Sequence, residues 1–147
     1  MKISLYCDGS SSGQKEGPIG WGWLILINGT IVNWDYGGDT NGTNNVAELL
    51  AAINGLRYIA QKPTIVEKLV KKEWKLEIVS DSQYVLNMAE QLFSPTTNHD
   101  LVKEIINLKD NLVAKTRWVR GHSGEPYNER CDRLAKLGRD LYLESSS

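Results

Sequence analysis

The chain of 147 residues is poor in several features that define whole classes of protein. Its two cysteines, Cys7 and Cys131, lie far apart and provide no disulfide framework, which favours a reduced, cytoplasmic setting. No apolar run approaches the roughly 18–20 residues that span a bilayer, and the N-terminus lacks the pattern of a signal peptide. We therefore expect a protein without a membrane partner.

An excess of charge of one sign is also missing, since 17 basic and 18 acidic residues leave a net charge of −1. This balance argues against a protein that binds nucleic acid through a strongly basic surface alone. Basic residues are nevertheless concentrated between 115 and 139, where seven of them accompany three acids. Such a run is typical of a solvated helix face or of an edge that contacts phosphates, and composition leaves both interpretations open.

Regular patterning is what the chain does have. Two β-rich runs, 21–27 and 30–36, are joined by Asn28-Gly29, a dipeptide typical of the tight turn of a β-hairpin. Apolar residues at helical spacing predict a helix over 46–61, which Pro63 ends. The other predicted elements are strands over 2–8, 75–80 and 115–120, turns over 37–45, and helices over 64–74, 83–92, 100–112 and 128–143.

The order of these elements predicts an α/β fold with three layers. The strands come first as an antiparallel hairpin meander and then alternate with helices, which predicts two further, parallel strands in one five-stranded mixed sheet. Helices flank both faces of that sheet. We expect a single domain over 1–143 and a disordered C-terminal tail over 144–147.

Four acids stand out by their context. Asp8 and Asp81 end predicted strands, and Glu48 and Asp132 lie in the first turns of predicted helices. Each has an ordinary explanation: aspartates end strands in turns, Glu48 follows Asn45 at the spacing of a capping box, and an acid favours a helix N-terminus.

Taken together, the four acids indicate a metal site. The predicted topology sets the strand of Asp8 beside the strand of Asp81, and the two helix starts can close over the same edge. Four neighbouring carboxylates would repel one another without a cation. Oxygen ligands without cysteine or histidine suit Mg²⁺ or Mn²⁺ rather than zinc.

Four segments carry a family resemblance: "YCDGSSSG", "TNNVAELLAAINGL", "SDSQYV" and "WVRGHSGEPYNERCDRLA". In this order, each with its acid, they resemble the signature segments of ribonuclease H type 1 over about residues 3–141. The resemblance implies a ribonuclease H-like fold and hydrolysis of the RNA strand of an RNA–DNA hybrid, which leaves 5′-phosphate and 3′-hydroxyl ends. We expect a monomer.

The resemblance also implies two divalent ions, Mg²⁺ with Mn²⁺ as a possible substitute, and a role for each acid. Asp8 would bridge both ions. Glu48 and Asp81 would hold the ion on the leaving-group side, and Asp132 would help to hold the ion beside the nucleophile.

His122 lies in a glycine-containing loop, between Gly121 and Gly124. An imidazole titrates near neutrality, so this side chain can move a proton at the site, and the glycines let its loop swing. The alternative is an ordinary residue of a surface loop.

Substrate contacts are implied by the same resemblance. They are Thr43 and Asn98 for a DNA phosphate, Asn44, Asn45 and Gln83 for the minor groove, and the Gly9 backbone and Ser10 for the ribose. The two neighbouring asparagines also fit helix caps. Four tryptophans on strands are predicted to be core residues rather than base-stacking ones: Trp21, Trp23, Trp34 and Trp118.

We expect three departures from the family pattern, one of which is that no separate hybrid-binding domain precedes the catalytic segments. Only residues 86–97 separate "SDSQYV" from "NHDL", where many members carry a basic protrusion that grips the DNA strand. The segment before "SDSQ" is longer than usual and precedes the strand that ends at Asp81, so we expect it at the opposite edge of the sheet. Its lysines are Lys62, Lys68, Lys71, Lys72 and Lys75.

Two other functions were weighed against a nuclease. A non-catalytic hybrid-binding module would be marked by the loss of one acid, and all four are present. A glycoside hydrolase needs two carboxylates and no divalent ion, and it is expected to have aromatic platforms near them, which the pattern lacks.

Overall fold

The computed structural model describes residues 1–13 and 16–145. Within them the chain forms ten elements of regular structure. They are β1 (Lys2–Ser11), β2 (Gly17–Ile27), β3 (Thr30–Gly42), α1 (Asn44–Ala60), α2 (Pro63–Val70), β4 (Lys75–Ser80), α3 (Gln83–Ala89), α4 (His99–Asn111), β5 (Lys115–Trp118) and α5 (Pro126–Ser145).

The five strands form one mixed sheet in the order β3-β2-β1-β4-β5. β1, β2 and β3 pair antiparallel, whereas β4 pairs parallel with both β1 and β5. The predicted fold class is therefore confirmed. The β2–β3 turn is also confirmed, because Asn28 and Gly29 have φ values of 49° and 82°, which this tight turn requires.

The first three strands are longer than predicted. β1 continues past Asp8 to Ser11 because β2 still pairs with it there, so the prediction that Asp8 ends the strand was wrong. β3 likewise runs to Gly42 through the stretch 37–45 that was predicted as turns. Glycine has a packing role in this stretch: a Cβ on Gly38 would lie 2.6 Å from the carbonyl oxygen of Gly138 in α5. The glycines there allow a close helix–sheet approach.

Both helices that carry candidate acids begin earlier than predicted. Thr43 caps α1 by accepting a hydrogen bond from the Val46 amide, so the cap is not Asn45 and Glu48 lies beyond the first turn. α5 begins at Pro126, which places Asp132 in its second turn. Proline suits the first helical position because its missing N–H has no partner to lose there.

Two helices, α2 and α5, end at residues other than those predicted. α2 ends at Val70, and 71–74 form a turn rather than a continuation of the helix. α5 continues to Ser145, two residues past the predicted domain end at 143, while the rest of the predicted tail, 146–147, lies outside the described residues. The cap at Ser82 is confirmed, since its hydroxyl accepts from the Val85 amide.

The main core lies between the sheet and α1, and it includes Leu5, Ile53 and Ile78. A smaller cluster lies on the opposite face beneath α5. Trp23 is buried as predicted, but Trp34 and Trp118 are 46% and 49% exposed, because they lie on the two edge strands, where less of the chain covers them. No helix in the described residues is both long and apolar enough to cross a membrane.

Candidate active site

Three carboxylates meet where the parallel pairing of the central strands β1 and β4 ends. Asp8, Glu48 and Asp81 each place an oxygen within 4.8 Å of the others. The parallel pairing of β1 with β4 ends at Tyr6 and Val79, so Asp8 and Asp81 both lie just beyond it. Glu48 joins them because α1, which carries it, packs on the face of the sheet against β1.

Gly9 is the residue that lets α1 come so close. A Cβ at this position would lie 2.5 Å from the carbonyl carbon of Ala47, which no side chain tolerates. The Gly9 amide donates a hydrogen bond of 3.0 Å to Oδ1 of Asp8 and a further, short one to Oε1 of Glu48. Its backbone therefore holds both carboxylates in place, a role beyond the ribose contact that the resemblance implied.

The electrostatics of the three acids are unfavourable as they stand. Asp8 and Glu48 are only 6% and 7% exposed. Burial raises the pKa of Asp8 far above its ordinary range, and the negative charge of Glu48 raises it further. Burial also raises the pKa of Glu48, more than its hydrogen bonds with Asp8 and Gly9 lower it.

No lysine or arginine in the described part of the chain forms an ion pair with Asp8, Glu48 or Asp81. Buried, unpaired carboxylates that supply only oxygen donors are the environment that a hard divalent cation stabilises. The residues present therefore fit Mg²⁺ or Mn²⁺, in agreement with the chemistry expected from the sequence.

Asp132 is not part of this group of three. Its carboxylate forms an ion pair of 2.9 Å with Lys136, one turn further along α5. It still lies close enough for its charge to raise the pKa of Asp8. The structure thus brings Asp132 to the same region, and its role as a metal ligand stays a prediction.

The loop of His122 lies against the group of acids. A Cβ on Gly121 would lie 2.8 Å from Oδ2 of Asp81, so a side chain at this position would displace the Asp81 carboxylate. His122 itself has a φ of 54° and is exposed, and Gly124 has a φ of 83°. His122 thus follows a residue whose backbone lies against Asp81, and its part in proton transfer stays a prediction.

Asn128 is a residue that sequence reasoning missed. It is 3% exposed, and its Nδ2 donates to Oδ2 of Asp81 across 3.4 Å. Its Oδ1 has no hydrogen-bond partner among the described residues. The available signal was its spacing: Asn128 precedes Asp132 by one helical turn, so both lie on the face of α5 that approaches the acids.

The residues implied for substrate binding differ in whether their side chains already form hydrogen bonds within the protein. Asn44, Asn45 and Gln83 are exposed at the starts of α1 and α3, and no capping bond occupies the two asparagines. The Thr43 hydroxyl is taken by its cap, while Asn98 has a φ of 58° and donates to the Tyr84 hydroxyl across 3.2 Å.

Ser10 is turned towards the protein. It is buried, and its hydroxyl accepts a hydrogen bond of 3.0 Å from Nη1 of Arg139. Other members of the basic run 115–139 are also paired within the chain, such as Arg117 with Glu77 and Lys136 with Asp132. The run therefore has a partly structural role that neither interpretation of the sequence included.

Comparisons with known proteins agree on one family. The RNase H family model matches residues 1–140. A ribonuclease H of Hahella chejuensis is 36% identical in an alignment of 149 positions that covers 92% of each chain. One from a Sulfurovum species is 37% identical in an alignment of 143 positions that covers 92% of this chain and 88% of the relative.

Solved structures show the same fold. RNase H1 of Halobacterium salinarum is 25% identical and superposes with a TM-score of 0.74 over 96% of this chain and 99% of the other. LC11-RNase H1, solved in complex with an RNA/DNA hybrid, is 21% identical with a TM-score of 0.76, over 96% and 99% of the two chains.

Proposed function

This chain belongs to the ribonuclease H family, a family of divalent-metal-dependent nucleases, and we propose that it hydrolyses the RNA strand of RNA–DNA hybrids as an endonuclease. The observation that carries the proposal is the meeting of Asp8, Glu48 and Asp81 at one end of the parallel strands, where no cationic side chain of the described residues forms an ion pair with them. The expected products have 5′-phosphate and 3′-hydroxyl ends.

Asp8, Glu48 and Asp81 would hold Mg²⁺, with Mn²⁺ as a substitute, and Asp132 would complete the ligand set. With two such ions bound, the site would have the Lewis acidity needed to activate a water and to stabilise negative charge on the scissile phosphate and the leaving oxygen. Gly9 orients two of the carboxylates through its amide. Asn128 orients Asp81 through the hydrogen bond to Oδ2.

His122 would move a proton at the site. His122 is exposed and directly follows Gly121, whose backbone lies against Asp81, and proton transfer is a common role of histidine side chains at active sites. Gly124 on the same loop gives the imidazole room to swing as product leaves.

The substrate would lie across the starts of α1 and α3. Asn44, Asn45 and Gln83 offer exposed amide groups there, and these could contact the minor groove of a hybrid. Recognition of this kind reads the shape of the duplex and the 2′-hydroxyl rather than a base sequence. We propose a monomer acting in the cytoplasm, where its buried, free Cys7 and Cys131 would remain reduced.

Cleavage of an end-labelled RNA–DNA hybrid, beside single-stranded RNA and duplex DNA, tests the proposal. We expect cleavage of the RNA strand of the hybrid with Mg²⁺ and none after EDTA. A hybrid that is bound but never cut under Mg²⁺ would identify a binding module instead. Hydrolysis of glycosides that survives EDTA would identify a two-carboxylate glycosidase.

A further inference from the structure

An apolar hollow of about 220 Å³ lies at the starts of β4 and β5, the opposite end of the strands from the carboxylates. Leu69 and Leu76 form its floor, and Trp74 and Val113 form its walls. Val113 is 43% exposed, whereas the two leucines are almost fully buried. Three lysines line its rim, at positions 72, 75 and 115. We call this feature the lysine-rimmed pocket.

The backbone around the pocket is held by two helix ends. α2 and α4 both finish here, each followed by a residue in the left-handed region: Lys72 with a φ of 61° and Val113 with 53°. The carbonyl oxygen of Lys68 accepts the amides of two residues in the turn, and that of Lys109 accepts the Ala114 amide. These bonds satisfy the carbonyls, so the pocket is preformed rather than created by a ligand.

The charges of the rim are left unpaired. Lys72, Lys75 and Lys115 are exposed, and none forms an ion pair with any described residue. The neighbouring acids are already taken, since Glu73 pairs with Lys68 at 2.9 Å and Glu77 pairs with Arg117 at 3.0 Å. The rim therefore presents a local excess of positive charge around an apolar centre.

Hybrid binding at the active site leaves the lysine-rimmed pocket unused. Lys75 begins β4 and Asp81 directly follows its end, so about 20 Å of strand separates the two places. A larger hollow of about 500 Å³ shares Lys75, Leu76 and Lys115 with the pocket and extends to Lys2 and Arg117, with Glu73 and Glu77, both already paired, also in its lining. An extended chain has room to follow it.

We propose that the lysine-rimmed pocket binds an acidic peptide segment of a partner protein, with one large apolar side chain in the pocket and adjacent carboxylates on the lysines. The apolar centre decides between this ligand and a nucleic acid. A phosphodiester backbone satisfies lysines but has no apolar group to fill the hollow, and unpaired cations alone would suit either ligand. A peptide with both groups satisfies both features.

Fluorescence anisotropy with the purified, full-length protein tests this. The probe is a labelled peptide with aspartates on both sides of a single phenylalanine. Its comparison ligands are the same peptide with alanine for phenylalanine and a single-stranded oligonucleotide of equal charge. We expect the phenylalanine peptide to bind most tightly and its affinity to fall as salt rises.

Two variants assign the binding to the pocket. Lys75→Glu with Lys115→Glu should weaken the phenylalanine peptide by about 5- to 30-fold, the scale of losing two ion pairs. Val113→Asn makes one wall polar while keeping a residue that accepts a left-handed φ, and it should remove the preference for phenylalanine over alanine. The matched control, Lys71→Glu with Lys103→Glu, changes the net charge equally outside the pocket and should leave the affinity unchanged.

Three results would overturn the proposal: equal binding of both peptides to the parent protein, equal loss in the pocket and control variants, or tighter lysine-dependent binding of the oligonucleotide. The last would make this end of the strands a nucleic-acid surface. Cleavage of hybrid, measured on the same preparations, verifies that each variant is folded. It also separates failure of this proposal from failure of the proposed nuclease function.

Discussion

Charged side chains without ion pairs are buried at one end of the strands β1 and β4 and exposed at the other end. At the carboxyl ends of β1 and β4, Asp8 and Glu48 are buried against each other and against Asp81. At the other end, Lys72, Lys75 and Lys115 are exposed to water. Buried like charges cost free energy that a cation can recover, whereas exposed lysines cost almost nothing. A bound cation would therefore stabilise the carboxylate end of the strands, whereas the lysine-rimmed pocket is stable with or without a ligand.

Asp8→Asn should have the largest effect at the carboxylate end of the strands. It removes a charge without changing the shape of the side chain, so hybrid cleavage under Mg²⁺ should become undetectable. The free energy of unfolding without metal should hold at neutral pH and rise at high pH, where Asp8 would otherwise ionise beside Glu48 and Asp81. Asp39→Asn, an exposed aspartate on β3, is the control. Cleavage within about tenfold of the parent would contradict the metal-site assignment.

His122→Ala should lower kcat by roughly 10- to 1,000-fold, the scale of losing a proton-transfer group or a release gate. Affinity for a non-cleavable hybrid should barely change. The other histidine, His99, lies at the start of α4 and provides the control variant. An unaltered rate across about pH 6 to 9 would return His122 to an ordinary loop residue.

The metal-free protein should lose stability as pH rises. The folded state raises the pKa of Asp8 and of Glu48 above the values of about 4 that they have when unfolded. It therefore holds more protons than the unfolded state between about pH 4 and the raised pKa values of the two folded carboxyls, and the free energy of unfolding falls with pH across that window. Urea denaturation in EDTA measures the slope. Asp8→Asn should flatten it, and an equally steep slope in that variant would contradict the assignment.

Lys71→Ala with Lys72→Ala should have the smallest effect. Both lysines lie in the turn after α2, at the end of the strands away from the carboxylates, so KM for the hybrid should change by less than about twofold. A modest dependence of KM on salt is expected as well, since the basic protrusion is missing. A large rise in KM with kcat preserved, and a salt slope lower by about 2, would make the two lysines a substitute grip on the substrate.

Local patterns predicted those parts of the fold that depend on neighbouring residues. Asn28-Gly29 predicted the hairpin turn, and Ser82 predicted the cap of α3. They failed where a distant element decided the outcome. The glycines near Gly38 resemble a turn in sequence, but they lie in a strand because α5 packs against them.

The candidate site shows the same division. The identity of the acids could be predicted from their segments, as could the meeting of Asp8 with Asp81 on adjacent parallel strands. The ion pair of Asp132 with Lys136 follows from the i,i+4 spacing of the predicted helix, although it was not among the predictions. The hydrogen bond from Asn128 to Asp81 could not be predicted, because it depends on how α5 packs against the end of β4.

The sequence by itself determined the order of strands, the chemistry-bearing residues and the family, because periodicity, turn residues and motifs are properties of short segments. Only the tertiary structure decided that Asp8 and Glu48 are buried with raised pKa values, while Lys75 and Lys115 lie exposed around an apolar hollow. Segments that are distant along the chain pack together, and this packing sets both the burial of each charged group and the distances between the groups. Those distances determine the electrostatic energy.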